Sequence, residues 1–348
     1  MNENLGENLI FLISQPRSGS TLLQRMLSVH PKIHTAAETW LLLYPFYALK
    51  HTSLETEYDF ALSKQATTDF LNSLPNGLDE YYSGIRRMAL YLYEQELANS
   101  NKIFFLDKTP RYYLVIPEII KAFPKAKIIL LLRNPLAVFV SIVNTWSIFI
   151  LYRFRVDLIQ APLLIASALR QYGDKMMVVH YEDLVNNPYT ILEKICLYLN
   201  IDFVPGMIEY GEHDTKANDW KFGDKEGIHN FKRPEKMKSE EWISSIKKPQ
   251  IWHLMNDYLK IFSPEIFEIM GYSYSEFITK LRVAKPSHLR ILGTLPLSWL
   301  LKSSGKHNSA FRNRLARISK SIQRRGWFAT IAKGIKLVAG NKDEVSGN

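Results

Sequence analysis

Short apolar runs that end at a proline or a charged residue recur along the chain, and helical periodicity follows them. Leu9–Ser14 is such a run, and Ser20–Val29 then places apolar residues at helical spacing. Ala126–Leu132 repeats the pattern and is apolar on both faces, as a central parallel strand is, and Pro135 opens the next helix. Both segments predict a buried strand followed by a helix.

Two further runs extend the pattern. Lys175–His180 precedes a helical segment at Tyr189–Leu199, and the shorter Lys102–Leu106 is a fourth candidate strand. Strands that alternate with helices predict an α/β fold: a P-loop-like, doubly wound parallel sheet flanked by helices. In such a sheet, ligands bind at the carboxyl ends of the strands.

The charge distribution divides the chain in two. Residues 280–348 hold 15 Lys and Arg against 2 acidic residues; since the whole chain carries +10 and this segment +13, the rest carries −3. We therefore predict a catalytic domain at residues 1–280, with a mainly helical insertion at about 41–100, and a basic C-terminal helical appendage at residues 281–348.

Apolar residues recur at helical spacing in the appendage, opposite a basic face. They are Phe311, Leu315, Ile318 and Ile322. A basic amphipathic helix within residues 310–335 would contact an anionic membrane surface or an acidic partner, or it would pack on its own catalytic domain; the sequence favours neither. Charge alone permits nucleic acid binding, but no nucleic-acid-reading motif is present, so none is expected.

Several features bear on compartment and metals. The single Cys196 cannot form an internal disulfide, and no Cys/His spacing indicates a metal site. The polar N-terminus lacks the pattern of a secretory signal, which predicts a cytoplasmic protein, peripheral at the membrane if the appendage binds there. Leu136–Tyr152 is apolar but carries polar residues such as Ser141, so a buried helix is the better interpretation than a membrane span.

Ser14–Thr21 lies where a nucleotide-phosphate loop would lie, between a strand and a helix. Backbone N–H groups and the helix dipole converge on an anion at such a place. Compared with the Walker pattern, Ser14 stands at the first glycine and Ser20 replaces the lysine. The missing lysine argues against an ATP or GTP hydrolase.

The positive charge lies earlier in the loop, at Arg17, whose planar guanidinium can bind an oxyanion through two hydrogen bonds. Gly19 allows close backbone approach, and three hydroxyl donors surround it: Ser18, Ser20 and Thr21. This set fits a singly bridged anhydride better than a triphosphate. The alternative is an ordinary helix N-terminus capped by serine.

Pro16–Leu23 followed by His30-Pro31 resembles the 5′-phosphosulfate loop of the sulfotransferases that use 3′-phosphoadenylyl sulfate (PAPS). Leu131–Pro135, with Ser141 eight residues after Arg133, resembles the family's 3′-phosphate motif. Tyr181–Leu184 and Asp107–Pro110 resemble two further family segments. All four occur in the family's order, within roughly residues 8–235.

The resemblance implies a role for each matching residue. Arg17, Ser18, Gly19, Ser20 and Thr21 would bind the sulfonate and 5′-phosphate, while Arg133 and Ser141 would bind the 3′-phosphate. Tyr181 would lie against the adenine, and Lys108 would neutralise the bridging oxygen. The alternatives are structural: Arg133 capping its strand, Ser141 bonding its own helix and Lys108 lying in a surface turn.

The motifs offer two candidates for the catalytic base. Small-molecule sulfotransferases of the cytosol have the sequence Lys-Thr-His at the lysine segment, whereas this chain has Pro110 in place of the histidine. Glu38, 21 residues after Arg17, resembles the glutamate base of protein-tyrosine, Golgi-type and bacterial members; it could instead cap a helix. His34 is the second choice, and His30 is expected to be structural. Between residues 221 and 233, one of Lys221, Lys225, Lys232 and Arg233 is expected to reach the 3′-phosphate of the nucleotide; the alternative is a solvated charged loop.

The resemblance thus implies a PAPS-dependent sulfotransferase that acts on an acceptor hydroxyl, with carbohydrate or glycolipid marginally favoured and with no metal. Two other functions stay open at this stage. One is a P-loop kinase acting on a small molecule, and the other is a non-enzymatic membrane or scaffold protein on a degenerate sulfotransferase fold.

Overall fold

The computed structural model describes residues 4–50, 57–213, 232–235, 237–285, 295–302, 315–317 and 319. By its internal contacts the chain divides into two compact units, each built from several segments. The first comprises Met1–Pro135, Ala161–Glu241 and Ser263–Tyr274, and the second comprises Leu136–Gln160, Trp242–Phe262 and Ser275–Asn348. The predicted boundary after residue 280 stays a prediction, and the predicted helix at 310–335 lies almost wholly outside the described residues.

The first unit contains a five-stranded parallel sheet with strand order β2-β3-β1-β4-β5. Its strands are β1 (Leu9–Ser14), β2 (Ile33–Thr35), β3 (Phe104–Lys108), β4 (Lys127–Leu132) and β5 (Met177–His180). The central strand β1 therefore lies between β3 and β4, and the chain winds outward from it in both directions. The predicted doubly wound parallel α/β sheet is confirmed.

Successive side chains of β1 point to opposite faces of the sheet, where they enter two separate cores. Phe11 and Ile13 join one apolar cluster, together with Phe105. Ile10 and Leu12 join the other cluster. Because both faces are covered, every residue of β1 is buried, which explains the uninterrupted apolar run in the sequence.

Helices of the first unit cover both faces of its sheet and make up most of the predicted insertion. In chain order, the helices that the described residues form in the two units are α1 (Ser20–Ser28), α2 (Leu43–Tyr47), α3 (Phe60–Asn72), α4 (Leu78–Ala98), α5 (Ile116–Ala122), α6 (Pro135–Trp146), α7 (Ala161–Tyr172), α8 (Tyr181–Asn186), α9 (Pro188–Leu199), α10 (Tyr210–His213), α11 (Met237–Ser245), α12 (Pro249–Leu259), α13 (Pro264–Ile269), α14 (Tyr274–Val283) and α15 (Leu297–Leu301).

Strands β2, β3 and β5 differ from the sequence prediction, and β5 does so by beginning at Met177 instead of Lys175. Strand β3 begins and ends two residues later than predicted, because Asp107 and Lys108 are fully buried despite their charge. Hydropathy alone ends the strand before them. Strand β2 has only three residues, of which His34 is only half buried, so no apolar run indicated it.

The second unit is organised around aromatic contacts and indole or phenol hydrogen bonds. The rings of Phe139 and Tyr258 lie 5.1 Å apart, and the Tyr258 hydroxyl donates to the Leu158 carbonyl at 2.8 Å. Among the described residues no single helix is long and apolar enough to cross a membrane. The pair Pro135–Trp146 and Ile148–Phe154, bent by 119°, passes that test only when taken together.

Candidate functional site

Residues singled out by the sequence cluster at the carboxyl edge of the sheet. The loop that follows β1 begins after Ser14, Lys108 is the last residue of β3, and Arg133 directly follows β4. Tyr181 directly follows β5. In the sheet register, Leu12 of β1 pairs with Lys108 and Ser14 pairs with Leu131. The strand ends thus bring these residues to one edge, as expected for an α/β ligand site.

The loop between β1 and α1 has an unusual backbone. Arg17 and Gly19 both adopt positive φ angles, 73° and 92°. Gly19 caps α1, whose first turn contains the predicted Ser20 and Thr21, both buried. The buried hydroxyls of Ser14 and Ser18 have no hydrogen-bond partner among the described residues. A buried hydroxyl is costly without a partner, so both are suited to bind a ligand oxygen.

Arg133 joins the loop to the start of α8. Its Nη1 donates to the Arg17 carbonyl at 3.0 Å, and its guanidinium carbon lies 4.3 Å from the centre of the Tyr181 ring. The same ring packs against Gly19, where an added Cβ would lie 2.4 Å from Tyr181 Cδ2. Only glycine therefore fits beneath the ring. The structure brings Arg17, Gly19, Arg133 and Tyr181 together, as the sequence predicted.

Glu38 and Lys108 form a buried ion pair at the adjoining strand end. Lys108 Nζ lies 2.7 Å from Glu38 Oε1, and the two side chains are 0% and 12% exposed. The second carboxylate oxygen, Oε2, accepts a hydrogen bond from Trp40 Nε1 at 3.1 Å. The carboxylate is therefore oriented by one cation and one indole N–H, next to strand β1, which leads into the predicted anion loop (Ser14–Thr21).

The Sulfotransferase family model matches residues 9–205, more than half of the chain. The chain belongs to the sulfotransferase family. The matched range includes both the anion loop and the Glu38–Lys108 pair, and the resemblance stated from the sequence is confirmed.

Two curated relatives are similar over about 60% of this chain. The nodulation protein NoeE of Sinorhizobium fredii is 30% identical over 230 residues, which cover 53% of its length. Protein-tyrosine sulfotransferase 1 of Danio rerio is 26% identical over 215 residues, which cover 58% of its length. The matched part of the chain thus spans little more than half the length of either relative.

A solved structure, the sulfotransferase domain from the curacin biosynthetic pathway, is similar in fold. It is 22% identical, covers 76% of this chain and 97% of its own, and has a TM-score of 0.50. At this level of identity the likeness concerns the fold alone.

The two histidines near the site have other partners. His34 Nε2 lies 3.3 Å from Glu96 Oε2 on α4, so the structure brings Glu38, and not His34, to Lys108. His30 Nδ1 accepts from the Lys32 amide, and its Nε2 lies 2.9 Å from the Asp202 carbonyl. Burial lowers the pKa of His30, which favours the neutral ring that these two contacts require.

Sequence reasoning missed Asp107 and Glu182. Asp107 is fully buried; four hydroxyl groups contact it, those of Thr39, Tyr93, Thr109 and Tyr112. Glu182 accepts from the Asn134 amide and from the Tyr272 hydroxyl, both at 3.0 Å. Each is a carboxylate directly beside a motif residue, Lys108 or Tyr181, and that adjacency is the only signal the sequence offered.

The roles of Ser141 and of the four basic residues between positions 221 and 233 remain predictions. Ser141 lies on α6 within the second unit, as expected for a residue two turns into that helix. Lys221 and Lys225 lie outside the described residues. Lys232 and Arg233 are described: their carbonyls accept hydrogen bonds from the Gly211 amide and the Tyr210 hydroxyl. Which of the four basic residues reaches the nucleotide is not decided by these backbone contacts.

The described ranges contain no group of three or more His, Cys, Asp and Glu side chains that could hold a metal ion. Cys196 is buried, and burial raises the pKa of its thiol to about 11, so the thiolate is scarce at neutral pH. Cys196 is thus a core residue of the apolar cluster that also contains Ile10 and Leu12.

Proposed function

We propose that this chain transfers a sulfonate group from PAPS to an acceptor hydroxyl, with Glu38 as the general base. The observation that supports it most is the buried pair of Glu38 and Lys108, which lies at the end of the strand adjacent to the anion loop. An acid–base pair beside an anion-binding loop is what in-line transfer of a charged group requires.

The residues around the loop fit a nucleotide that carries phosphate and sulfonate groups. The Ser14 and Ser18 hydroxyls are buried and have no hydrogen-bond partner within the described part of the chain, and they can donate to anionic oxygens. Two guanidinium groups, Arg17 and Arg133, belong to the same edge and supply the charge that a Walker lysine would otherwise supply. Ser141 is the further expected contact for the 3′-phosphate, and Tyr181 the expected neighbour of the adenine.

The proposed reaction is a displacement at sulfur. Glu38 removes the proton of the acceptor hydroxyl, and the oxygen attacks the sulfur of PAPS. The bond from sulfur to the bridging oxygen breaks, and its electron pair leaves with 3′,5′-ADP. Lys108 stabilises the charge that develops on that oxygen. Because an ammonium group has three N–H donors, Lys108 can keep one on Glu38 while it offers another to the leaving group.

The acceptor is a narrower proposal. A carbohydrate or glycolipid hydroxyl is favoured because two aromatic side chains lie close to Glu38 in sequence: Trp40, which touches it, and Tyr44, which is 86% exposed. Aromatic faces of this kind stack on sugar rings. They also contact phenols, and since one relative is named for protein tyrosine, a tyrosine hydroxyl is the main competitor.

A two-part experiment tests the proposal. First, calorimetry with 3′,5′-ADP in excess EDTA should show tight binding, whereas ATP should bind weakly with or without magnesium. Second, labelled PAPS should transfer its label to at least one acceptor in a panel of glycans, glycolipids, phenols and tyrosine peptides. Magnesium-dependent ATP binding without 3′,5′-ADP binding would instead indicate the kinase. Nucleotide binding with no transfer to any acceptor would favour the non-enzymatic scaffold.

A further inference from the structure

Asp107 is a buried carboxylate that the proposed reaction does not use. It neighbours Lys108 in β3, but side chains alternate along a strand, so the two point to opposite faces of the sheet. Phe105, two residues before Asp107, belongs to one apolar core, and Leu106, two residues before Lys108, belongs to the other. The Asp107 side chain therefore lies on the face of the sheet opposite to the Lys108 side chain.

Four hydroxyl groups donate hydrogen bonds to this carboxylate and so offset the cost of burying its charge. Oδ2 accepts from Tyr93 at 2.6 Å, from Thr39 at 2.8 Å and from Tyr112 at 2.9 Å, while Oδ1 accepts from Thr109 at 3.1 Å. Burial raises the pKa of Asp107, and the hydrogen bonds act in the opposite direction. Burial and the nearby carboxylate also raise the pKa of both tyrosines well above the usual value, so both remain donors.

Three of the four hydroxyl groups also hold the segment of residues 39–42. Thr39 Oγ1 accepts from the Leu41 amide at 3.3 Å, the Tyr112 hydroxyl accepts from the Leu42 amide at 3.2 Å, and Thr109 Oγ1 accepts from the Trp40 amide at 3.2 Å. These bonds join Asp107 to a segment about 70 residues away that has no regular secondary structure.

The backbone and the indole of Trp40 indicate the role of this segment. Its backbone has a φ of 55°, a conformation that costs free energy in a bulky residue and persists only where the surroundings enforce it. In that conformation its indole N–H reaches Glu38 Oε2. The Arg111 guanidinium also lies 5.4 Å from the centre of the Trp40 ring. Strain is thus combined with a direct contact to the predicted base.

We propose that Asp107 is a positioning residue: through Thr39, Thr109 and Tyr112 it fixes the segment of residues 39–42, so that Trp40 holds the Glu38 carboxylate against Lys108. This inference rests on the proposed function only for its effect on catalysis. The structural part, that Asp107 determines the environment of the Trp40 indole, stands independently of any reaction.

The decisive variants are at Thr39. Thr39→Val keeps the side-chain shape but removes the hydroxyl between Asp107 and the Leu41 amide, whereas Thr39→Ser keeps the hydroxyl. With PAPS and an active acceptor, we expect Thr39→Val to lower kcat about 3- to 10-fold, because a displaced Trp40 indole weakens its hydrogen bond to Glu38. The KM for PAPS and the affinity for 3′,5′-ADP should change less than about twofold. Thr39→Ser should retain most of kcat, and Asp107→Asn should behave like Thr39→Val.

A matched control separates positioning from stability. Tyr198→Phe removes a hydroxyl that bonds the Ile128 backbone on β4, away from the segment. It should lower Tm to a similar degree as Thr39→Val, yet leave kcat unchanged. Equal loss of kcat in Thr39→Ser and Thr39→Val, or a wild-type kcat in Thr39→Val, would overturn the proposal.

A second readout does not need activity. The protein has 7 tryptophans, so indole ¹⁵N labelling gives a simple spectrum in which Trp40→Phe assigns the Trp40 N–H signal. We expect this signal to shift and exchange faster with solvent in Thr39→Val, and to be unmoved in Tyr198→Phe. An unmoved signal in Thr39→Val overturns the positioning role. A moved signal in a protein that transfers no sulfonate upholds that role and rejects the proposed function instead.

Discussion

The proposed donor side and the proposed base side of the site are built in different ways. The donor side consists of strand ends and one loop: Arg17 and Gly19 follow β1, Arg133 follows β4 and Tyr181 follows β5. On the base side, Glu38 lies in an irregular segment between β2 and α2, held by hydrogen bonds to residues about 70 positions away. The sheet itself positions the first set, whereas a network of buried polar groups positions the second.

This difference suggests that the two sides have separate roles. Rigid strand ends are suited to binding the nucleotide donor, which is the same whichever acceptor is used. A segment fixed by hydrogen bonds can vary with the acceptor while the sheet stays the same, since loops on a rigid scaffold tolerate change better than the scaffold. Changes on the donor side should therefore act on nucleotide affinity, and changes on the base side on kcat.

Glu38→Gln should give the largest effect. Glutamine can still accept from Trp40 Nε1 but cannot accept the acceptor proton, so kcat should fall about 10²- to 10⁴-fold with donor affinity retained. The measurement is initial rate with labelled PAPS alongside 3′,5′-ADP calorimetry. His34→Gln is the control, because His34 contacts Glu96 instead of Lys108, and it should be nearly as active as wild type. The opposite ranking would make His34 the base.

Gly19→Ala should act mainly on the donor. The residue has a φ of 92°, and its Cβ would lie 2.4 Å from Tyr181 Cδ2. Strain of this kind costs about 1–3 kcal/mol, so we expect 3′,5′-ADP affinity to fall roughly 5- to 150-fold, with a smaller change in kcat at saturating PAPS. Gly84→Ala is the matched control, since its added Cβ has no neighbour within 4 Å. Unchanged nucleotide affinity in Gly19→Ala would show that the Tyr181 ring is not part of the donor site.

Trp40→Phe should give the smallest effect on kcat, and this effect should be confined to the base side. It keeps the aromatic ring but removes the N–H that contacts Glu38 Oε2, which should lower kcat about tenfold or less and leave 3′,5′-ADP binding unchanged. Trp252→Phe removes an equivalent indole bond, to the Leu281 carbonyl, and should leave kcat unchanged. A loss of nucleotide affinity in Trp40→Phe would break the proposed division between the two sides.

Much of the fold was predictable because its signals are local. The apolar run of β1 matches the observed strand residue for residue, and α1 begins at the predicted Ser20. Strand β3 was misplaced because Asp107 and Lys108 are charged, and a sequence pattern cannot show that four hydroxyl groups and one carboxylate compensate them. Their partners come from distant parts of the chain, and only folding brings them together.

The sequence by itself determined the family and the parallel sheet, because the first depends on contiguous motifs and the second on strand periodicity. The tertiary structure decided which candidate base lies beside Lys108. Glu38 and His34 are only four residues apart, and the sequence ranks Glu38 first by resemblance alone; the chain turns after β2 so that Glu38 meets Lys108 while His34 meets Glu96. That turn is held by Asp107 and its hydroxyl partners, and long-range polar contacts of this kind leave no periodicity in the sequence.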